Sequence, residues 1–236
     1  MSTTAITASF GIEEPAITTR RLAVGDEVYE ILLTRLISLK IPPGARIGID
    51  ALVRDLGVSQ TPIRAALIRL EAEGLVIKTH LVGYSAAPLP TRQQFEEIYQ
   101  MRMLLEPFAA ERAAEAMTDA QRKELSSLAA AMAAPSSDDA RLAYGKFAQW
   151  DTQFHSLIAT NGGGRLLAET LDRLHTHMHL FRFLFHSRVT EEAIKEHAEV
   201  VDALMKGNGK RARSAMESHI QLSFKRVAPI LDSFST

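Results

Sequence analysis

Residues 24–40, VGDEVYEILLTRLISLK, return an apolar residue every three or four positions (Val28, Ile31, Leu32, Leu36, Leu39). That is the period of a helix with one buried face. Asp26 suits its start, and Pro42-Pro43-Gly44 ends it. A shorter helix is predicted over 50–56, with Leu52, Val53 and Leu56 inward and Gly57 in the left-handed conformation that closes it. Ser59 or Thr61 caps a third helix, in which Ile63, Ala66, Leu67 and Leu70 form the buried stripe and Gly74 is the stop. Pro62 fits its first turn. The period then changes: LVIKTHLVGYSAAPL reads as two short strands, 75–79 and 84–88, around Gly83. Three helices, the second pair joined by a tight turn, and then a hairpin predict a winged helix-turn-helix over 21–88. Residues 1–20 read as a disordered tail.

Pro88 and Pro90 mark a linker, taken as 89–94. Beyond it the helical period holds throughout. Helices are predicted at 91–116, 118–133, 138–160, 164–187, 190–206 and 209–232. The breaks are Thr118-Asp119, Pro135-Ser136-Ser137, Asn161-Gly162-Gly163-Gly164, Val189-Thr190 and Gly207-Asn208-Gly209. Connections this short make neighbours antiparallel. The predicted fold is mainly α: a winged helix-turn-helix with a small hairpin, then an all-α antiparallel bundle over 95–232.

Composition narrows the function. The chain has 236 residues, 46% hydrophobic and 23% charged, which suits globular folding. It has no cysteine, so disulfides and thiolate zinc sites are excluded. No run approaches the roughly 18–20 apolar residues of a membrane span, and the N-terminus lacks the basic start and apolar core of a signal peptide. A cytoplasmic location is expected, with no membrane partner. Net charge is −1 overall, but residues 20–88 hold nine Lys/Arg against seven Asp/Glu. The weak positive bias sits where the winged helix-turn-helix is predicted.

A duplex major groove admits one α-helix, whose first residues meet the base edges. Here those residues are Ser59, Gln60, Thr61 and, one turn on, Arg64. Gln can read adenine, Arg can read guanine, and Ser or Thr can bind base or phosphate. Arg46, Arg54 and Arg69 suit backbone contact, and the wing around Gly83 suits the backbone or the minor groove. The pattern alone also suits a small helical module for protein contact. The stretch GVSQTPIRAALIRLEAEGLV with its GYSAAPL wing resembles the N-terminal domain of GntR-family bacterial transcription regulators. Gln60 stands where an Arg is usual, Ala65 where Glu is common, and Val82 where a basic residue often precedes the wing glycine. The resemblance implies a homodimer on a near-palindromic double-stranded operator, usually as a repressor.

In DTQFH, Asp151 and His155 are four apart and share one helix face. His197 and His219 lie on two later helices joined by GNG, which sets them near each other. One carboxylate and three imidazoles suit zinc, nickel, manganese or a related divalent ion. Each histidine alone is equally a hydrogen-bonded core or surface residue. Glu196 and Glu199 neighbour His197 but belong to other faces of its helix. The helical half resembles the ligand-sensing FCD domain of the FadR subfamily over 93–232, in YQMRMLLEPFAAERAA, DTQFHSLIATNG, EEAIKEHAEVVDALMKGNGKRA and MESHIQL. That resemblance implies metal binding by Asp151, His155, His197 and His219.

Arg102, on an apolar helix, reads either as an ion pair with Glu106 or as a fork for an effector carboxylate, and the resemblance favours the fork. Asn161 suits a helix C-cap or an effector contact. In LHTHMHLFRFLFHSR, His175 and His179 share a face, and with Arg182 they suit a pocket wall. The expected function is transcription regulation controlled by a small organic acid at the metal. The alternatives are a metal-dependent hydrolase or lyase, and an interaction module with a structural metal.

Overall fold

The computed structural model describes residues 16–134, 140–176, 182 and 189–234. The N-terminal module is built from α1 (Ala16–Ile37), β1 (Arg46–Ile47), α2 (Ile49–Leu56), α3 (Gln60–Ala72), β2 (Val76–Thr79) and β3 (Gly83–Ala86). The bundle follows as α4 (Arg92–Ala116), α5 (Asp119–Ala133), α6 (Ala140–Asp172), α7 (Val189–Met205) and α8 (Gly209–Phe234). The mainly α fold with a small N-terminal sheet agrees with the pattern reading.

Local chemistry explains most boundaries. Gly57 ends α2 at φ 67 and donates its N–H to the Val53 carbonyl. Ser59 takes the extended N-cap position of α3, but its hydroxyl makes no capping bond. The T-x-x-Q sequences at Thr91–Gln94 and Thr118–Gln121 each form a reciprocal capping box that starts α4 and α5. Val28, Leu32, Leu33 and Leu36 of α1 are buried with Ile63, Leu67 and Leu70 of α3, beneath Val76 and Tyr84 of the sheet.

Two boundaries differ from the sequence reading. α1 begins at Ala16, inside the stretch read as tail; residues 1–15 lie outside the described residues. The hairpin gains a third strand, β1, giving the antiparallel order β1-β3-β2, with Arg46 opposite Ser85 and Ile47 opposite Tyr84. Two residues are too few to show a period, so only pairing with β3 reveals this strand. The break expected at Asn161–Gly164 is present as a kink: Gly164 leaves helical geometry at φ 78 and separates the two helical stretches of α6. A Cβ at Gly162 would overlap the Ala109 carbonyl oxygen of α4, and Arg112 Nε donates to the Gly162 carbonyl at 3.0 Å. Glycine is there to let two helices touch.

Gly162→Ala is therefore expected to destabilise the chain by about 1–3 kcal/mol through overpacking. Gly145→Ala in the same helix, whose Cβ would meet nothing nearer than 3.7 Å, serves as the control. It is expected to stabilise by roughly 0.5–1 kcal/mol through helix propensity. Urea midpoints at constant slope separate the two, and equal shifts would refute the close-approach account.

Among the described residues, several contacts tie the N-terminal module to the bundle. Gln149 Nε2 of α6 donates to Tyr29 Oη at 3.3 Å and Glu30 Oε1 at 3.1 Å on α1. Arg182, buried, donates to the carbonyls of Ala87 (2.7 Å) and Pro88 (3.3 Å), just beyond β3. His175, in the turn after α6 with φ 47, presses its ring to 2.5 Å from where a Cβ on Gly74 would stand, at the turn between α3 and β2.

Candidate functional site

Four helices converge on one buried polar group in the bundle. α4 supplies Arg102 and Glu106, α6 supplies Asp151 and His155, α7 supplies Glu196 and His197, and α8 supplies His219 and Arg226. One ring nitrogen from each of His155, His197 and His219 lies within 4.8 Å of the others, and all three side chains are buried. Asp151 Oδ1 is 3.3 Å from His197 Nε2. The structure thus brings the three histidines together, with Asp151 against His197 but outside the group of mutually close ligand atoms.

Two of the imidazoles are held in the same manner. His155 Nδ1 is 2.6 Å from Glu106 Oε2, and Glu106 Oε1 accepts from Arg102 Nε at 2.5 Å. His219 Nδ1 is 2.8 Å from Glu196 Oε2, and Arg226 grips Glu196 through both terminal nitrogens at 2.5 and 2.9 Å. Burial alone would raise both carboxyls. The arginine and histidine beside each outweigh it, holding Glu106 well below the usual carboxylate range and Glu196 below it. An ionised carboxylate only accepts, so each Nδ1 carries the donated proton and Nε2 is left as the ring atom able to bind a cation.

Glu196 was expected on another face of its helix, away from any role here. It does lie about 100° round α7 from His197, but that direction faces α8, not solvent. Its partner is His219, which no pattern within α7 could reveal. Glu106 was legible only as one reading of Arg102.

Arg102 is 1% exposed, sits 5.2 Å over the Tyr99 ring, and adds a 3.4 Å bond from Nη2 to Glu106 Oε2. Its Nη1 is buried with no hydrogen-bond acceptor among the described residues. Both readings of Arg102 therefore stay compatible: the ion pair is made, and one donor atom remains for a further oxygen.

At the reading end, Ser59, Gln60, Thr61 and Arg64 are exposed on the first turns of α3. Gln60 Nε2 donates to Asp50 Oδ1 of α2 at 2.9 Å, and Arg64 Nη2 donates to Gln60 Oε1 at 3.2 Å, so each of the two side chains is held by a neighbour. Arg46 on β1 and Arg54 on α2 are exposed, and Gly83 sits at the wing turn with φ 105. Arg69 stands apart, about 13 Å along α3 from Gln60. It lies 3.6 Å over the Tyr29 ring and pairs with Glu73 (3.4 Å) and Asp26 (3.5 Å).

Profiles of known families match both halves. Residues 24–84 match bacterial regulatory proteins of the gntR family, and residues 97–222 match the FCD domain. The chain belongs to the GntR family and carries an FCD domain.

This GntR protein is 24% identical over 212 residues to the HTH-type transcriptional regulator YdhC of Bacillus subtilis, covering 87% of this chain and 92% of that one. It is 24% identical over 204 residues to the HTH-type transcriptional repressor RspR of Escherichia coli, covering 84% and 86%. Among solved structures, Escherichia coli McbR/YncC superposes with a TM-score of 0.63 at 21% identity, over 91% of this chain and 98% of that one. A GntR transcriptional regulator from Rhodococcus sp. RHA1 gives 0.62 at 22% identity, over 89% and 98%. Family and relatives make the GntR protein a transcription regulator and not an enzyme. No helix among its described residues is long and apolar enough to cross a membrane.

FCD domains often bind metal, and the donor set of this GntR regulator fits such an ion: three buried imidazoles and a carboxylate, two of the rings braced by glutamates. A cavity of about 320 Å³ adjoins it. The cavity runs from Glu106 and His155, past Thr152 and Ser156, to His175 and to Glu73 just beyond the end of α3. Of the predicted effector residues, His175 lines this cavity; burial lowers its pKa, against the opposing pull of Asp172. Asn161 does not line it and donates to the Leu157 carbonyl of its own helix at 2.8 Å. Arg182 is bonded to the carbonyls of Ala87 and Pro88 instead. His179 lies outside the described residues.

Proposed function

We propose that this regulator senses a small organic acid at a metal ion and that occupancy controls its grip on an operator. The observation that carries the reading is the pair of Arg–Glu–His relays beside a cavity that ends next to the reading helix. Asp151, His155, His197 and His219 would hold the ion. An all-nitrogen-and-oxygen set of this size favours zinc, with nickel or manganese admissible. Bound there, the ion supplies positive charge for an effector carboxylate. Arg102 Nη1 offers a second contact, and His175 the far wall.

An effector can shift the protein only by binding two arrangements unequally. Its route to the DNA-reading end is short: His175 against Gly74, Arg182 on the Ala87 and Pro88 carbonyls, and Gln149 on Tyr29. The GntR reader followed by an FCD domain supports placement in the FadR subfamily. We assign the domains as 21–88 for DNA binding, 89–94 as linker and 95–232 for sensing. We read the protein as a cytoplasmic repressor, a role that the name of the Escherichia coli relative RspR carries for that protein. GntR regulators usually act as dimers. A homodimer on a near-palindromic operator follows, with the exposed Leu104 beside the partly buried Met103 and Phe224 offering an apolar face on α4 and α8.

Fluorescence anisotropy on duplexes selected in vitro from random sequence tests the reader. Wild type is expected to bind a selected palindrome sequence-specifically at moderate salt. Arg64→Ala is expected to lose about 1–3 kcal/mol of affinity and to relax choice at one base pair. Uniform binding of all duplexes would sink the reading.

A further inference from the structure

Leu81 occupies a place that folding alone would not give to leucine. It stands at the tip of the β2–β3 hairpin, 94% exposed, with φ 62. Val82 N donates to the Thr79 carbonyl at 3.2 Å, which closes a four-residue turn with Leu81 at its third position. That position needs a left-handed backbone and is ordinarily filled by glycine or asparagine, because a β-carbon crowds the following carbonyl there. The Leu81 side chain recovers nothing for this strain by burial, and Val82 beside it is 57% exposed. A strained residue with no internal partner points outward for its role.

The fold says what lies outward. Ile47 opposes Tyr84, so the next step along both strands sets Gly48 beside Gly83, at the tip end of the sheet. Gly48 leads directly into α2, whose Asp50 holds Gln60 at the start of α3. The wing turn and the first turns of α2 and α3 therefore share one end of the module, the end that carries Gln60 and Arg64. The tip is continuous with the DNA-reading surface. Lys78 and His80 flank it, both exposed, while the tip itself is aliphatic.

We propose that Leu81, backed by Val82, is an apolar wedge that enters the operator's minor groove, partly unstacks one base step and kinks the duplex. This rests on the reading of the module as a DNA binder. Aliphatic side chains inserted between base pairs act in this way on other DNA benders. Pyrimidine–purine steps such as TA and CA/TG unstack most readily. The wing then prefers such a step beside each half-site without a hydrogen bond to any base, a specificity that Lys or Arg at the tip would not confer.

Leu81→Gly and Leu81→Asn test it, since both residues suit the backbone, and thermal melting is expected to be unchanged or raised. On a duplex that wild type selects from random sequence, each variant should bind about tenfold more weakly. The slope of affinity against salt should be unchanged, because no charge is removed. Energy transfer between dyes at the duplex ends should report a smaller bend. Exchanging the flanking TA step for AA should weaken wild type but not Leu81→Gly. A selected duplex bound equally tightly and equally bent by wild type and Leu81→Gly overturns the wedge and leaves the reader standing. So does a loss that comes with an altered salt slope, which would mark a backbone contact. Failure of wild type to select any duplex would sink the reader, and the wedge with it.

Discussion

Replacing Glu106 by alanine is expected to destabilise the protein by about 3–5 kcal/mol, the usual consequence of leaving a buried charge without its partner. That charge is Arg102, 1% exposed and held by Glu106 through two bonds. The same change removes the Glu106 brace from His155 Nδ1, so zinc affinity is expected to fall by roughly 10–100-fold, as when an outer-shell carboxylate is removed from a histidine ligand. Glu111→Ala is the control. Its partner Arg213 is 46% exposed, and loss of that pair is expected to cost no more than about 1 kcal/mol. Urea unfolding and competition titration with a zinc dye read the two effects separately. A shift for Glu106→Ala no larger than for Glu111→Ala would refute the buried relay. The pH dependence has a defined sign. Burial would raise the Glu106 carboxyl, but Arg102 and His155 hold it well below the usual range. Its stabilising contribution is therefore complete above the unfolded value of about 4.3. It is lost as the pH falls towards the folded value, and the gap between wild type and variant closes in acid.

Zinc added to metal-stripped protein at 1,000 times its dissociation constant is expected to add about 4 kcal/mol of stability. For a chain of this length that corresponds to a rise of roughly 10 °C in Tm. A chelator should reverse the rise, and His197→Ala should abolish it. The shift should shrink in mild acid, because protons compete for the imidazoles. Scanning calorimetry with elemental analysis of the same sample reads both the shift and the stoichiometry. An unmoved melting curve with zinc, nickel and manganese alike would remove the metal from the account. A shift that small organic acids then enlarge would support the sensing role.

Periodicity and stop signals made much of the architecture legible in advance. The short 50–56 helix, Gly57, the buried stripe of α3 and the change to a two-residue period lie within twenty-odd residues of each other, and local sterics decide such features. The T-x-x-Q caps and the Asp151–His155 spacing are equally local. Other features had a part that no local signal carries. The run of three glycines reads as a break, and Gly164 makes one. Gly162 is also the floor of a helix crossing, because Ala109 of α4 arrives there. β1 is two residues long and exists only through β3.

The sequence alone determined most of the helical segments, the change from helix to hairpin, and which residue types are available for metal chemistry. All of these follow from interactions a few residues apart. Only the tertiary structure decided that Glu106 and Glu196 brace two of the three histidines, that Arg69 lies over the Tyr29 ring, and that Arg182 clasps the carbonyls of Ala87 and Pro88. Each depends on which helix faces meet, and that is set by the packing of the whole core rather than by any residue's neighbours in the chain.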